Sequence, residues 1–267
     1  MKISIDAGGT LLKIVYIKDD NERVFDKVPS LNIDDFIEDL NKNHPDADIY
    51  ITGGKAEYMS RKLNHDVNIS IEFDATYIGL KQLMDEQGLH IEHFVYLNVG
   101  TGTSFHQAGP DGQKRAGGSG VGGGTLMGLS YLLTGIEDFN EIVSLAKEGN
   151  RDEIDLKVHH IYAGDASPIP GDLTASNFGN IKSGDRKIVR HADELQAVIA
   201  LVAETVSTIG INLAAGFETE DIIFIGSTIR DNDVMTDIIN RYVSLKGMKP
   251  HIIKNGEFSG ALGAMFV

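Results

Sequence analysis

Asp6 stands two residues ahead of Gly8 and Gly9, with Thr10 and Lys13 just beyond, in the opening stretch "MKISIDAGGTLLKIVYI". The flanks are apolar and β-branched, so the stretch reads as a β-hairpin with a glycine turn. A carboxylate at the end of a buried strand is poor core material. It suits a hydrated Mg²⁺, which keeps several waters and uses few carboxylates. Paired glycines let main-chain N–H groups approach a phosphate with no Cβ in the way. Thr10 adds a hydroxyl donor, and Lys13 adds a point charge on the returning strand. Taken alone, the stretch is equally an ordinary hairpin, because short motifs often match by chance.

A second turn changes that balance. "FVYLNVGTGTSFHQA" is again strand, glycine turn, strand, and Asn98-Val99-Gly100 repeats Asp6-Ala7-Gly8. Two such turns facing each other would grip a nucleotide's phosphates from both sides, which predicts a duplicated α/β fold with a ligand between its halves. A third glycine stretch, "GGSGVGGGT", holds Gly118-x-Gly120-x-x-Gly123 but follows a turn-rich segment, not a parallel strand, so it is a weak dinucleotide fingerprint. It reads as a flexible loop feeding a helix near Thr125, whose unpaired N–H groups favour phosphate. The fourth, "FIGST", places a glycine after a buried strand, suited to close approach of a purine or ribose. No Walker sequence occurs.

Glu72 lies in "NISIEFDA". Ile69, Ile71 and Phe73 alternate with Ser70, Glu72 and Asp74, which predicts a strand with Glu72 on its polar face and Asp74 at the cap of a helix over 75–86. Phosphorylating an unactivated alcohol is helped by a carboxylate within hydrogen-bond reach. Among 39 acidic residues, a glutamate on its own reads as a solvated acid. Arg115 reads by itself as a hairpin-surface arginine, but its guanidinium also suits a substrate carboxylate or a transferring phosphoryl group. His106, His159 and His160 lack partners at metal-ligand spacing and read as surface or satisfied core residues.

The elements that must position these groups follow from periodicity. Ile33, Phe36, Ile37 and Leu40 predict a helix, "DIYITGG" a buried strand, and "KAEYMSRKLN" a further helical stretch. Helices are predicted near 137–147, 152–162 and 191–215, a buried strand with a glycine at its end in "IIFIGSTI", an amphipathic helix at "DNDVMTDIINRYVSL" and a small-residue helix at "FSGALGAMFV". "KDDNE" reads as a solvated turn.

Composition sets the limits. The chain has 267 residues, 42% hydrophobic, enough for one large or two modest domains. Its formal charge of −15 repels nucleic-acid phosphates and anionic membrane. A phosphate site must therefore be local: backbone N–H groups, a few cations and a bound metal. With no cysteine, disulfides and thiolate metal sites are excluded. No apolar stretch approaches the ~20 residues of a membrane span, and Asp6 interrupts the N-terminal apolar run. The expectation is a cytoplasmic protein without nucleic-acid or membrane partners.

"DAGGT", "NVGTGTS" and "FIGST", in this order, resemble the phosphate-1, phosphate-2 and adenosine motifs of the actin/Hsp70/sugar-kinase superfamily. With "IEFDA", "RAGGSGVGGGT" and "IPGDLTASNFG", nearly the whole chain resembles the type II pantothenate kinases of staphylococci and related Firmicutes. The resemblance implies an α/β, two-lobed actin/Hsp70/hexokinase-like fold (a duplicated ribonuclease H-like unit) with ATP in the interlobe cleft. The lobes would be 1–92 and 93–255, with a C-terminal helix in 256–267 packing back on the first. It implies ATP-dependent phosphorylation of pantothenate's terminal hydroxyl, the first step towards coenzyme A, with Mg²⁺ and a homodimer. By that resemblance ATP would be contacted by Asp6, Ala7, Gly8, Gly9, Thr10, Leu11, Leu12 and Lys13, by Thr101, by Gly123, Gly124, Thr125, Leu126 and Met127, and by Phe139 and Ser227. Asp6 would hold Mg²⁺ through water. Glu72 would be the catalytic base, Arg115 would bind pantothenate or its reacting end, and Thr101 would also touch substrate. Thr174, and Tyr242 of the partner subunit, would border the pantothenate pocket. The chain departs from close relatives at Thr125-Leu126-Met127, where they carry more methionine or glutamine. Two rivals share the nucleotide motifs: a kinase acting on an amino sugar, and an ATPase switch of the actin/Hsp70 kind.

Overall fold

The computed structural model describes residues 1–18, 22–163, 165–181 and 189–267. Asp19, Asp20 and Asn21 of the expected "KDDNE" turn lie outside the described residues. The chain runs β1 (Lys2–Ala7), β2 (Leu11–Ile17), β3 (Arg23–Pro29), α1 (Ile33–Asn43), β4 (Asp48–Thr52), α2 (Ala56–Ser60), β5 (Val67–Ile69) and α3 (Glu72–Glu86). It continues with β6 (Phe94–Val99), β7 (Thr103–Gly109), β8 (Gly112–Ser119), α4 (Gly123–Thr134), α5 (Phe139–Ala146), β9 (Leu156–Lys157), α6 (Val158–Tyr162) and β10 (Thr174–Ser176). Then come α7 (His191–Gly216), β11 (Asp221–Ile225), α8 (Asp233–Leu245), β12 (Lys249–Ile252) and α9 (Ser259–Gly263).

Two five-stranded sheets carry the fold, in the orders β3-β2-β1-β4-β5 and β12-β11-β6-β7-β8. Read from the hairpin outward the two orders are the same. In each, three antiparallel strands are continued by two parallel ones: β1 pairs parallel with β4 and β4 with β5, as β6 does with β11 and β11 with β12. The repeat seen between Asp6-Ala7-Gly8 and Asn98-Val99-Gly100 is thus the trace of a repeated topology.

Strand parity sorts side chains into three cores. Ile3, Ile5 and Ala7 of β1 pack with Ile33, Phe36, Ile37 and Leu40 of α1. Val95, Leu97 and Val99 of β6 and Ile222 and Phe224 of β11 pack with α7 and α8. The alternate residues Phe94, Tyr96, Ile223 and Ile225 turn inward and meet Leu80, Leu83 and Met84 of α3 and Ala261 and Leu262 of α9. So α3 and α9 form a central layer between the sheets. Their backbones nearly touch. A Cβ at Gly79 would lie 2.0 Å from the Ser259 carbonyl oxygen, and one at Gly263 would lie 1.8 Å from that of Ala75. Small residues at this crossing are what allow the approach.

Several sequence expectations need correction. The 152–162 stretch is not one helix: a short 3₁₀ turn, β9 and α6 share it. β3, a charged and mostly exposed strand, carries little apolar signal and was not expected. Gly117, Gly118 and Ser119, which open the stretch "GGSGVGGGT" expected as a flexible loop, are the end of β8. α7 is long and apolar enough to cross a membrane by length and composition, against the reading that no such stretch exists. Its Leu195, Val198, Ile199, Val202 and Val206 are packed into the core.

Candidate active site

Parity also aims the first carboxylate. With Ile3, Ile5 and Ala7 committed to one face of β1, Asp6 must emerge on the other, beside α9, where a Cβ on Gly260 would lie 3.2 Å from its Oδ2. The hairpin register sets Lys13 directly opposite Asp6, and Lys13 Nζ donates to Asp6 Oδ2 at 2.7 Å. The turn that follows faces the turn of the second sheet: Thr10 Oγ1 and Thr101 Oγ1 are 2.8 Å apart. A cleft of about 970 Å³ opens there, lined by both turns, Glu72, Arg115, the start of α4 and the loop after β11. That volume suits a nucleotide and a small co-substrate.

The second turn is locked from behind. Gly123 N and Gly124 N, the first amides of α4, donate to the carbonyls of Gly100 and Thr101 at 2.7 and 2.8 Å. Thr228 donates through its N–H to Val99 (3.1 Å) and through its hydroxyl to Gly100 (2.9 Å). Gly226 makes this meeting possible: its φ is +115°, and a Cβ there would lie 2.4 Å from the Val99 carbonyl oxygen. The expectation of unpaired phosphate-binding amides at the start of this helix is corrected for Gly123 and Gly124, which fasten the helix to the turn instead.

Glu72 sits on a helix, not a strand. β5 ends at Ile69, Ile71 is extended, and Glu72 opens α3 with Asp74 in the same first turn. Ile69 and Ile71 are exposed, so their alternation with Phe73 marks no buried sheet face. Acids in a first turn are favoured by the helix dipole, a signal that competed with the alternation. Asp74 is inside the helix and not its cap, and its Oδ1 accepts from Gln113 Nε2 at 3.3 Å. The Glu72 carboxyl, open to the cleft but walled by protein, is pushed above the usual carboxylate range. Burial is the main cause, Asp6's negative charge adds to it, and Lys13 partly offsets it. A base displaced towards neutral pH is better matched to accepting a proton from an alcohol.

Arg115 reaches the cleft because of a β-bulge. The β7–β8 register shifts between Phe105 and His106, so Phe105 pairs with Gly117 and His106 with Arg115, leaving Ala116 extra. Without that residue, Arg115 and Gly118, three apart on one strand, would face opposite ways. With it they share the cleft face: a Cβ on Gly118 would lie 2.6 Å from Arg115 Nη2. The guanidinium lies 5.5 Å from the centre of the Phe73 ring.

Most of the other expected residues come together. Gly8, Gly9, Leu11, Met127, Phe139 and Ser227 line the same cleft. The side chains of Ala7, Leu12 and Leu126 do not; they are fully buried in the cores. Thr125 Oγ1 donates to the Gly120 carbonyl at 3.0 Å. Thr174 and Tyr242 are elsewhere in this chain. Thr174 Oγ1 is held by Arg151, Lys157 and Glu204, and Tyr242 lines a second cavity of about 920 Å³ with those three residues. Lys27 of β3, Ser104, Thr228 and Arg230 also line the cleft, though sequence reasoning passed over them. Arg230, four residues after Gly226, was within reach of motif reasoning; Lys27 depended on the unrecognised β3. Lys13, Lys27, Arg115 and Arg230 together supply the local cations that a −15 chain needs for a phosphate site.

The donor set fits a magnesium–nucleotide better than a free metal. Among the described residues no group of three His, Cys, Asp or Glu side chains converges. Asp6, at the root of a turn able to hold phosphates, suits Mg²⁺, which takes one or two carboxylates when phosphate oxygens and water complete its shell.

Duplicated sheets of this order, with glycine hairpins meeting across a cleft, define the class of actin/Hsp70/sugar-kinase folds. Solved structures agree on the fold. Component A of Acidaminococcus fermentans (R)-2-hydroxyglutaryl-CoA dehydratase superposes with a TM-score of 0.61 at 13% identity, covering 98% of this chain and 95% of its own. A ROK family glucokinase from Streptomyces griseus, in complex with glucose and AMPPNP, gives a TM-score of 0.58 at 12% identity, covering 98% and 97%. Within that class the chain belongs to the type II pantothenate kinase family: residues 2–267 match the family model described as Fumble. The type II pantothenate kinase of Staphylococcus epidermidis is 45% identical over 267 residues, covering 100% of both chains. That of Staphylococcus aureus is 43% identical, covering 100% of this chain and 99% of its own.

Proposed function

We propose that this chain is a kinase that transfers the γ-phosphoryl group of ATP to the terminal hydroxyl of pantothenate, giving 4'-phosphopantothenate for coenzyme A biosynthesis. The observation that carries the reading is the meeting of the two hairpin turns at Thr10 and Thr101 in a cleft that also contains Glu72 and Arg115. Chemically, the alcohol oxygen forms a bond to the γ-phosphorus as the bond to the β–γ bridging oxygen breaks. Glu72 takes the alcohol's proton and ADP leaves. Such transfer depends mostly on positioning and on stabilising charge. The glycine turns hold the phosphates through main-chain N–H groups, Thr10 and Thr101 add hydroxyls, and Lys13 and Arg115 offset phosphoryl charge. Asp6 would hold Mg²⁺ through water, and the ion when bound would supply positive charge to offset that of the phosphates. Leu11, Met127, Phe139 and Ser227 form the walls for nucleotide and acceptor. In this reading the cleft divides lobes 1–92 and 93–255, and the enzyme is a cytoplasmic homodimer in which Thr174 and Tyr242 of the partner subunit border the acceptor pocket.

A turnover screen with Mg-ATP tests this directly. Pantothenate is expected to be phosphorylated, N-acetylglucosamine and N-acetylmannosamine are not, and hydrolysis without acceptor is slow. Fast acceptor-independent hydrolysis, or preference for an amino sugar, overturns the assignment.

A further inference from the structure

His106 is 1% exposed, titratable, and has no part in the transfer described above. It lies in a row crossing three strands, Tyr96–His106–Arg115, set by the β6–β7 and β7–β8 registers. Its ring stacks on Tyr96 (centroids 4.4 Å apart, planes 9° apart) and is met by Phe73 at 5.3 Å. Both ring nitrogens are engaged: Nδ1 lies 3.0 Å from Gln113 Oε1, and Nε2 lies 3.0 Å from Ser104 Oγ.

These contacts determine the proton positions. The Gln113 group facing Asp74 Oδ1 is the amide nitrogen, which donates to it at 3.3 Å. The Gln113 oxygen then faces His106 Nδ1, which must donate. In a neutral ring Nε2 is left as an acceptor, and the Ser104 hydroxyl donates to it. Burial, with the charge of Arg115 nearby, holds the ring below the usual histidine range despite the opposing Gln113 bond, consistent with a neutral imidazole. The charged or titratable groups around the ring are Asp74 from α3, Arg115 from β8 and Tyr96 from β6.

We propose that His106 is a positioning residue: fixed as the neutral Nδ1–H tautomer, it ties the strand bearing Arg115 to the first turn of α3 bearing Glu72, and turns Ser104 into an acceptor towards the cleft. The chain Asp74–Gln113–His106–Ser104 runs from two residues beyond Glu72 to a cleft-lining hydroxyl. Phe73, next to Glu72, has its ring centre 5.3 Å from that of His106 and 5.5 Å from the Arg115 guanidinium. The proposal rests on the kinase reading for its kinetic readout, but the tautomer does not.

Two half-mimics separate the arms. His106→Asn keeps an amide donor near the Nδ1 position and loses the Nε2 acceptor. His106→Gln reaches the Nε2 position and loses the donor to Gln113. Because loss of geometry between reacting groups costs up to about a hundredfold, kcat is expected to fall about 10- to 100-fold in the Gln variant, with KM for ATP unchanged. The Asn variant should keep kcat within about threefold and raise KM for pantothenate about tenfold, the cost of one lost hydrogen-bonding group of about 1.4 kcal/mol. Nitrogen-15 spectra of the histidine-labelled wild type are expected to show protonated Nδ1 and bare Nε2, and Gln113→Leu to mix the tautomers. An Nε2–H tautomer overturns the proposal. So do equal kinetic losses in both variants that track their melting temperatures, which is what a merely structural role would give. If the variants fail to fold, the wild-type spectrum and Gln113→Leu still decide. A wild type with the expected spectrum but no activity on pantothenate overturns the substrate reading and not the tautomer.

Discussion

The two hairpin turns have the same topology and opposite character. The Asp6–Thr10 turn carries a charged pair at its root, Asp6 with Lys13, and Gly9 at its tip is exposed, with nothing within 4 Å of where a Cβ would stand. The Gly100–Gly102 turn has uncharged Asn98 in place of Asp6 and is fastened by α4 and by the loop after β11. One turn offers charge and open backbone. The other is a prebuilt wall. The same strand order supports both turns, and one carries the ionic groups while the other is held in fixed geometry.

The largest effect on this contrast should come from the group that serves neither turn. Glu72→Gln is expected to lower kcat about 10²- to 10⁴-fold, with nucleotide affinity nearly unchanged in calorimetry. As the proposed base, Glu72 would have to be ionised to accept the proton. Its raised pKa therefore means activity falls as pH falls, with the acidic limb above the usual glutamate range. A limb at the ordinary value, measured in kcat against pH, removes the argument from burial.

Gly226→Ala tests the fixed side. Positive φ and the Val99 carbonyl together should cost about 2–3 kcal/mol, read as a lower melting temperature without ligand. Gly9→Ala tests the open side. It should leave the melting temperature unchanged but weaken ATP on the order of tenfold, about 1.4 kcal/mol, because the Cβ meets only an incoming phosphate. If Gly9→Ala unfolds the protein, or Gly226→Ala is silent, the contrast between the turns is wrong. The smallest effect belongs to Thr10→Val: the exposed 2.8 Å bridge to Thr101 should contribute under about 1 kcal/mol to stability in urea unfolding.

Local signals made part of this legible from sequence. Glycines between β-branched runs marked both hairpins, and the apolar stripe from Leu195 to Val206 marked α7. Alternation misled at Glu72, since Ile69, Ile71 and Phe73 imitate a strand while two acids open a helix. The bulge at Ala116, which brings Arg115 to the cleft, has no signature in "KRAGGS". Nor does the fastening of Gly123 to Gly100 or of Thr228 to Val99, because each joins segments distant in sequence. The glycines there signalled close approach without saying what approached.

The crossing of α3 and α9 has a kinetic consequence. Ser4, two residues before Asp6 on the same face of β1, donates its hydroxyl hydrogen to the Ala261 carbonyl across 257 positions of sequence. The helix that begins with Glu72 has its seat only once Gly263 has been synthesised. A chain lacking those residues leaves α3 without its inner neighbour. Such wide sequence separation also slows folding, so refolding should end in a late docking step of the final helix.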